Sequence, residues 1–249
     1  MVVIAAVGDL HIRAGTGPRL RPVFEGAAAA ADVLLLAGDL TNDGEITQAD
    51  AVCEVFGSLD LPIVAVLGNH DYDAGEQGRI TGMLTGVGIT VLEGSAVTIR
   101  ASGTTIGIAG AKGFAGGFTG RSAEIFGEDE MKAFARHGQQ TARTLAQAVN
   151  SLDTELTIAL THYAPVPGTL AGESLELFPF LGSHHLAAAI DSSTSRVTLA
   201  VHGHAHYGCE LGTTPGGTPV RNVARPVISV PYALYRLPAD SGADVVRLG

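Results

Sequence analysis

Short apolar runs alternate with amphipathic stretches from the first residues onward. Val2–Val7 is a continuous apolar run, Leu20–Asp32 reads as a helix, and Val33–Ala37 is the next run. Ile46–Leu59 reads as a second helix and Ile63–Leu67 as a third run. Short runs without polar alternation fit strands covered on both faces, so the pattern predicts β-α-β-α-β with parallel strands. A weaker helix follows around Glu76–Leu84, then strands at Ile89–Leu92, Val97–Arg100 and Thr105–Ala109. The stretch Lys112–Gly127 is rich in Gly and Phe and reads as a loop. Glu128–Leu152 reads as a long helix. Met131, Phe134, Thr141, Leu145, Ala148 and Leu152 recur at roughly helical spacing, and Glu128, Asp129 and Glu130 suit its N-terminus. Leu156–Leu160 and Val197–Val201 are further apolar runs with a short helix at Leu186–Ile190 between them, and the tail Val220–Leu248 alternates like β structure. No linker or internal repeat divides the chain. One α/β domain over 1–249 is expected, with 112–152 the candidate for a cap or lid.

Composition narrows this picture. Apolar residues make up 46% of the 249, and with no tryptophan the core must be built from Ala, Val, Leu and Ile. Lys plus Arg total 15 against 25 Asp plus Glu, a formal charge of −10. Such a surface repels nucleic acid and anionic lipid, so neither long nucleic acid nor a membrane is expected as a partner. Cys53 and Cys209 make no disulfide framework, which fits a reducing compartment. The first apolar run has no basic flank and is too short to span a bilayer, so a cytoplasmic location is expected. Nothing in the sequence sets an oligomeric state.

The chemistry lies in what ends the apolar runs. Five of them close on Asp9-Leu10-His11, Gly38-Asp39, Gly68-Asn69-His70-Asp71, Thr161-His162 and Gly203-His204-Ala205-His206. In an open α/β sheet, ligands bind beyond the carboxyl ends of the strands, so five strand ends would deliver these groups to one edge. Asp9, Asp39 and Asn69 offer oxygen, while His11, His162, His204 and His206 offer imidazole nitrogen. Mixed N/O ligation without sulfur suits Mn, Fe, Zn or Co better than Ca or Mg alone. Taken singly each motif is weak: Gly-Asp after a strand is often only a turn, and a lone histidine is more often core or surface. All five together, each at a run's end, are not.

Taken as a set, these motifs resemble the calcineurin-like metallophosphoesterase superfamily over residues 9–206. Asn42 stands where many members carry a second Asp, and Asp43 follows it. The resemblance implies a four-layer α/β/β/α sandwich of two mixed β-sheets flanked by helices. It implies two divalent or trivalent transition-metal ions (Mn, Fe or Zn), one held by Asp9, His11, Asp39 and His206 and the other by Asp39, Asn69, His162 and His204. An anionic bridge such as Asp39 is what two cations ~3.5–4 Å apart require. By the same resemblance a metal-bridging hydroxide attacks phosphorus, His70 contacts the phosphate or protonates the leaving oxygen, and Asp71 either orients the His70 ring or caps the loop.

The expected function is a metal-dependent phosphoesterase. A small-molecule phosphodiesterase, acting on a cyclic nucleotide or similar ester, stands ahead of a phosphomonoesterase or phosphoprotein phosphatase. A non-enzymatic scaffold that keeps the fold for protein interaction is disfavoured, because no ligand is missing. Among the remaining candidates, Arg13 reads as a surface residue rather than a phosphate contact. His202 reads as strand packing or support, His184 and His185 as solvated, and His137 as part of the candidate cap. Lys112 and Arg121 flank the glycine-rich loop, and Phe114, Phe118 and Phe126 read mostly as a small core beneath the cap.

Overall fold

A computed structural model of the chain describes residues 1–194, 196–237 and 245–248. The first half runs β1 (Val2–Val7), α1 (Gly17–Ala30), β2 (Val33–Ala37), α2 (Ile46–Phe56), β3 (Ile63–Val66), α3 (Gln77–Gly86), β4 (Ile89–Val91), β5 (Ser95–Ala101) and β6 (Thr104–Ala111). A small hairpin, β7 (Gly117–Phe118) and β8 (Arg121–Ser122), precedes α4 (Asp129–Asn150) and β9 (Leu156–Thr161). Then come α5 (Phe178–Leu181), α6 (His184–Asp191), β10 (Leu199–His202), β11 (Leu211–Thr213) and β12 (Pro219–Asn222). The chain closes with α7 (Arg225–Ile228), β13 (Ala233–Leu237) and β14 (Val246–Leu248).

Two mixed six-stranded sheets result, ordered β14-β13-β1-β2-β3-β4 and β11-β12-β10-β9-β6-β5. The centres are parallel, β1 to β4 in the first and β6, β9, β10 and β12 in the second, and antiparallel strands close the remaining edges. Side-chain size along the second sheet explains why it packs on both faces. Ile106, Ile108, Leu156, Ile158, Leu160, Leu199 and Val201 join the core shared with the first sheet. The alternate residues Ala109, Ala111, Ala159 and Ala200 face a second core formed with α4 and α6. Large residues fill the gap between sheets, and small ones let helices approach closely. The expected four-layer sandwich is present.

Several local expectations change. The loop at 112–127 contains the β7–β8 hairpin. Helix α4 is an outer layer of the second sheet, with Ala135, Ala142, Leu145, Ala148 and Val149 buried. The candidate cap at 112–152 is therefore corrected in its second half: that helix belongs to the sandwich. The tail is not uniformly β, since α7 follows β12, and its residues 238–244 lie outside the described ones. Among the described residues, no helix is long and apolar enough to cross a membrane.

Candidate metal centre

The strand ends of both sheets meet at one edge. Past the last paired residues of β1 and β2 the two chains stay joined. Asp9 N–H donates to the Gly38 carbonyl at 3.0 Å, His11 N–H to Asp39 at 3.0 Å, and Ile12 N–H to Leu40 at 2.9 Å. From the second sheet, the His204 N–H donates to the Asp9 carboxylate at 2.9 Å. Asp9, His11, Asp39 and His204 all have positive φ, at 58°, 45°, 51° and 69°. Non-glycine residues held there cost about 1–3 kcal/mol each and cluster at functional sites.

Glycines before the ligands serve close approach as well as turning. A Cβ on Gly38 would sit 2.5 Å from His162 Nδ1, and one on Gly68 or Gly203 would overlap the Asp39 or Asp9 carboxylate. Only hydrogen leaves room for those side chains.

Three overlapping groups have ligand atoms within 4.8 Å of one another: Asp9–His11–His206, His11–Asp39–His70 and Asp39–His162–His204. His206 Nε2 lies 2.9 Å from Asp9 Oδ1, and His162 Nε2 lies 3.3 Å from Asp39 Oδ1 and 3.0 Å from Asn69 Oδ1. His11 Nε2 is 3.8 Å from Asp39 Oδ2. All seven expected ligands thus converge, and Asp39, only 1% exposed, stands between the two sets.

The donor set fits metal ions on two independent grounds. His11 Nε2 is buried with no hydrogen-bond partner. Such an orphan is rare in folded proteins unless something else binds it. His162 Nδ1 donates to the Ala37 carbonyl at 2.8 Å, so in the neutral ring the Nε2 lone pair points at two further acceptors, Asp39 and Asn69. Lone pairs converging in this way need a cation between them. His204 Nε2 is likewise occupied by the Phe180 carbonyl at 3.3 Å, leaving Nδ1 for a ligand.

Electrostatics favour neutral rings at His204 and His11 and an ionised carboxylate at Asp9, and pull the other way at Asp39 and His206. Burial drives the His204 ring down to about 3, helped by the nearby charge of His162. Burial also lowers His11. Burial pushes the Asp9 carboxyl up, but the hydrogen bond from His206 and the charges of His162 and His206 outweigh it and hold it below its usual range. Asp39 goes the other way: burial raises it and the Asp9 charge adds to that, with His162 opposing. His206 is raised, first by its hydrogen bond to Asp9.

His70 joins the centre, its Nε2 4.0 Å from Asp39 Oδ2 and its Nδ1 2.7 Å from the Asn42 carbonyl. Asp71 does not touch that ring. Fully buried, it accepts from the backbone N–H of Leu40, Thr41 and Gly68 and from the Thr41 hydroxyl, at 2.6–3.2 Å. The loop-cap role is therefore the correct one. It places His70 indirectly, through the turn His70–Tyr72, and the group that fixes the His70 ring is the Asn42 carbonyl.

Other residues fall into place around the centre. His202 is buried and packed, its Nε2 2.8 Å from Thr169 Oγ1. His184 and His185 are half-buried rather than solvated, and His184 Nδ1 contacts the Gly117 carbonyl at 3.1 Å. His137 packs edge-on against Phe114. Phe118 is buried, whereas Phe126 is 81% exposed. Arg13 is exposed and lines a cleft of about 290 Å³ beside His11 together with Arg19 and Arg225. Arg121, Met131, Phe134 and Phe180 line another of about 560 Å³, adjoining His204 through the Phe180 carbonyl. Sequence reasoning missed Asn222. Its amide donates to the Ala205 carbonyl at 2.8 Å and its Oδ1 accepts from Ala224 N–H, bracing the His204–His206 loop. No motif or periodicity in the sequence pointed to it.

Comparison with known proteins agrees with the fold. A phosphopantetheinyl hydrolase from Mycobacterium tuberculosis superposes with TM-score 0.60 at 15% identity, over 89% of this chain and 88% of that one. A Thermus thermophilus protein gives 0.58 at 17% identity over 95% and 97%. A purple acid phosphatase from yellow lupin gives 0.52 at 14% identity, over 96% of this chain and 49% of that one. No curated protein matches the sequence. The family model of calcineurin-like phosphoesterases matches residues 2–208, most of the chain, and the chain belongs to that family.

Proposed function

We propose that the protein is a dinuclear metal-dependent hydrolase of small phosphate esters, with diesters such as cyclic nucleotides ahead of monoesters. One observation carries this reading: Asp39 is shared between two ligand groups, with the orphaned His11 Nε2 on one side and the His162 Nε2 lone pair on the other. Two bound ions there would supply an activated water at neutral pH and would polarise the phosphoryl oxygens. Asp9, His11 and His206 would hold one ion, Asn69, His162 and His204 the other, with Asp39 between them.

The chain's own groups do the rest. His70 Nδ1 donates to the Asn42 carbonyl, so Nε2 is the atom that faces the centre, and with the ring doubly protonated that nitrogen can hand its proton to the leaving oxygen and return to the neutral form. The 560 Å³ cavity beside His204 is in the range of small-molecule sites and would take the organic part of an ester. Arg13, Arg19 and Arg225 put local positive charge beside His11 on an otherwise acidic molecule, which supports an anionic substrate.

The test is a hydrolysis screen of protein loaded with Mn, Zn or Fe, comparing bis-p-nitrophenyl phosphate, p-nitrophenyl phosphate and cyclic AMP. Turnover with two ions per chain is expected, and it should be lost in Asn69→Ala and His204→Ala variants that still fold. Absence of turnover with every metal, at less than one ion per chain, would overturn the reading.

A further inference from the structure

Lys112 follows the last residue of β6 and is 8% exposed. Its backbone carbonyl accepts from His162 N–H at 3.0 Å and from Tyr163 N–H at 3.1 Å, tying it to the strand end that carries a ligand. Its ammonium lies in an aromatic cage, with Nζ 4.9 Å from the Tyr72 ring centroid and 5.2 Å from those of Phe114 and Tyr163. The cage shares walls with the metal centre. Tyr72 sits in the same turn as His70, and the Tyr163 ring is 4.4 Å from that of His204.

The cage does not satisfy the ammonium. Three N–H donors are present, and the described residues offer one long hydrogen bond, to the Gly113 carbonyl at 3.4 Å, and no ion pair within 4.0 Å. Glu93 and Asp39 attract the charge only from further away. Aromatic faces stabilise a cation but accept no strong hydrogen bond. A buried cation with unspent donors is costly, and such groups persist where a ligand completes them.

We propose that the Lys112 ammonium anchors an anionic phosphoryl oxygen of the substrate. This rests on the phosphoester reading and adds a specificity element to it: a fixed cation beside the metal centre favours esters carrying more negative charge, which narrows the lead given above to diesters over monoesters.

Lys112→Met keeps the side chain's length and removes its donors. With the metal-loaded variant, inorganic phosphate binding measured by calorimetry should weaken by about tenfold or more, as loss of one charge-assisted hydrogen bond implies. KM should rise more for p-nitrophenyl phosphate than for bis-p-nitrophenyl phosphate. Two ions per chain should still bind, and the thermal midpoint should stay level or rise. Lys112→Arg should retain most of the phosphate affinity and serves as the folded comparison. Unchanged phosphate affinity in Lys112→Met would overturn the proposal, as would a lowered midpoint with phosphate binding intact, which would make Lys112 a structural cation. Phosphate binding is read without turnover, so a wild-type protein that binds phosphate but hydrolyses nothing would sink the enzymatic reading and still decide the role of Lys112.

Discussion

His162 Nδ1 and the Ala37 carbonyl, 2.8 Å apart, join the two sheets at the metal centre. The ring belongs to the residue that follows β9 in one sheet, and the carbonyl ends β2 in the other. A carbonyl can only accept, so this contact fixes the tautomer and turns the other nitrogen toward Asp39 and Asn69. Gly38 is what lets the ring approach, and the same device recurs at Gly68 and Gly203.

Gly68→Ala should therefore weaken metal binding and also cost some stability, since its Cβ would overlap the Asp39 backbone nitrogen as well as the carboxylate. Its methyl group would occupy the space of the Asp39 carboxylate, and outer groups that aim a ligand are worth roughly 10- to 100-fold in metal affinity. Metal titration of the purified variant, with circular dichroism as the check on folding, is the measurement. Wild-type affinity would show that the carboxylate has room to move.

Asp71→Asn should destabilise the protein. The carboxylate accepts from four donors, and an amide would turn N–H groups toward N–H groups. A buried donor left without a partner costs about 1–3 kcal/mol, readable in urea unfolding. If Asp71 served only to tune the His70 ring, activity would fall while stability stayed the same.

Removing metal should lower the melting temperature. Four ligand residues hold positive φ around gathered carboxylates, an arrangement that bound cations stabilise. At a hundredfold excess over Kd each ion contributes roughly 2.7 kcal/mol, which for a chain of this size is on the order of 5–10 °C. A chelator titration followed by re-addition of Mn, Zn or Fe checks both directions. An identical midpoint with and without metal would contradict the fit of these residues to ions.

Helix α4 and the β7–β8 hairpin should respond differently to mutation. Leu145 is fully buried beneath the second sheet, so Leu145→Ala should cost about 2–5 kcal/mol, and deleting 129–150 should prevent folding. Shortening the hairpin at 118–121 should leave the fold intact and change the choice among esters, since Gly120 and Arg121 line the cavity beside His204. A stable, folded protein lacking α4 would restore the whole of 112–152 as a removable cap.

The sequence by itself determined the central strands, their succession along the chain and the residues that end them. Uninterrupted apolar runs fit strands covered on both faces, and polar residues stand at their ends because that edge alone is open to ions and substrate. It also marked out the candidate ligands, through residue type, position at the run ends and the family resemblance those motifs carry. The tertiary structure decided everything that depends on which groups become neighbours. It made Asp71 a cap for Thr41 and Gly68, gave the His70 ring to the Asn42 carbonyl, and set Asn222 behind the His204–His206 loop. It moved α4 from a candidate lid into the sandwich, because an apolar helix face reads the same whichever sheet it covers. It enclosed Lys112 among Tyr72, Phe114 and Tyr163. These contacts join residues distant in sequence through backbone groups and close approaches, which leave no periodic trace in a one-dimensional pattern.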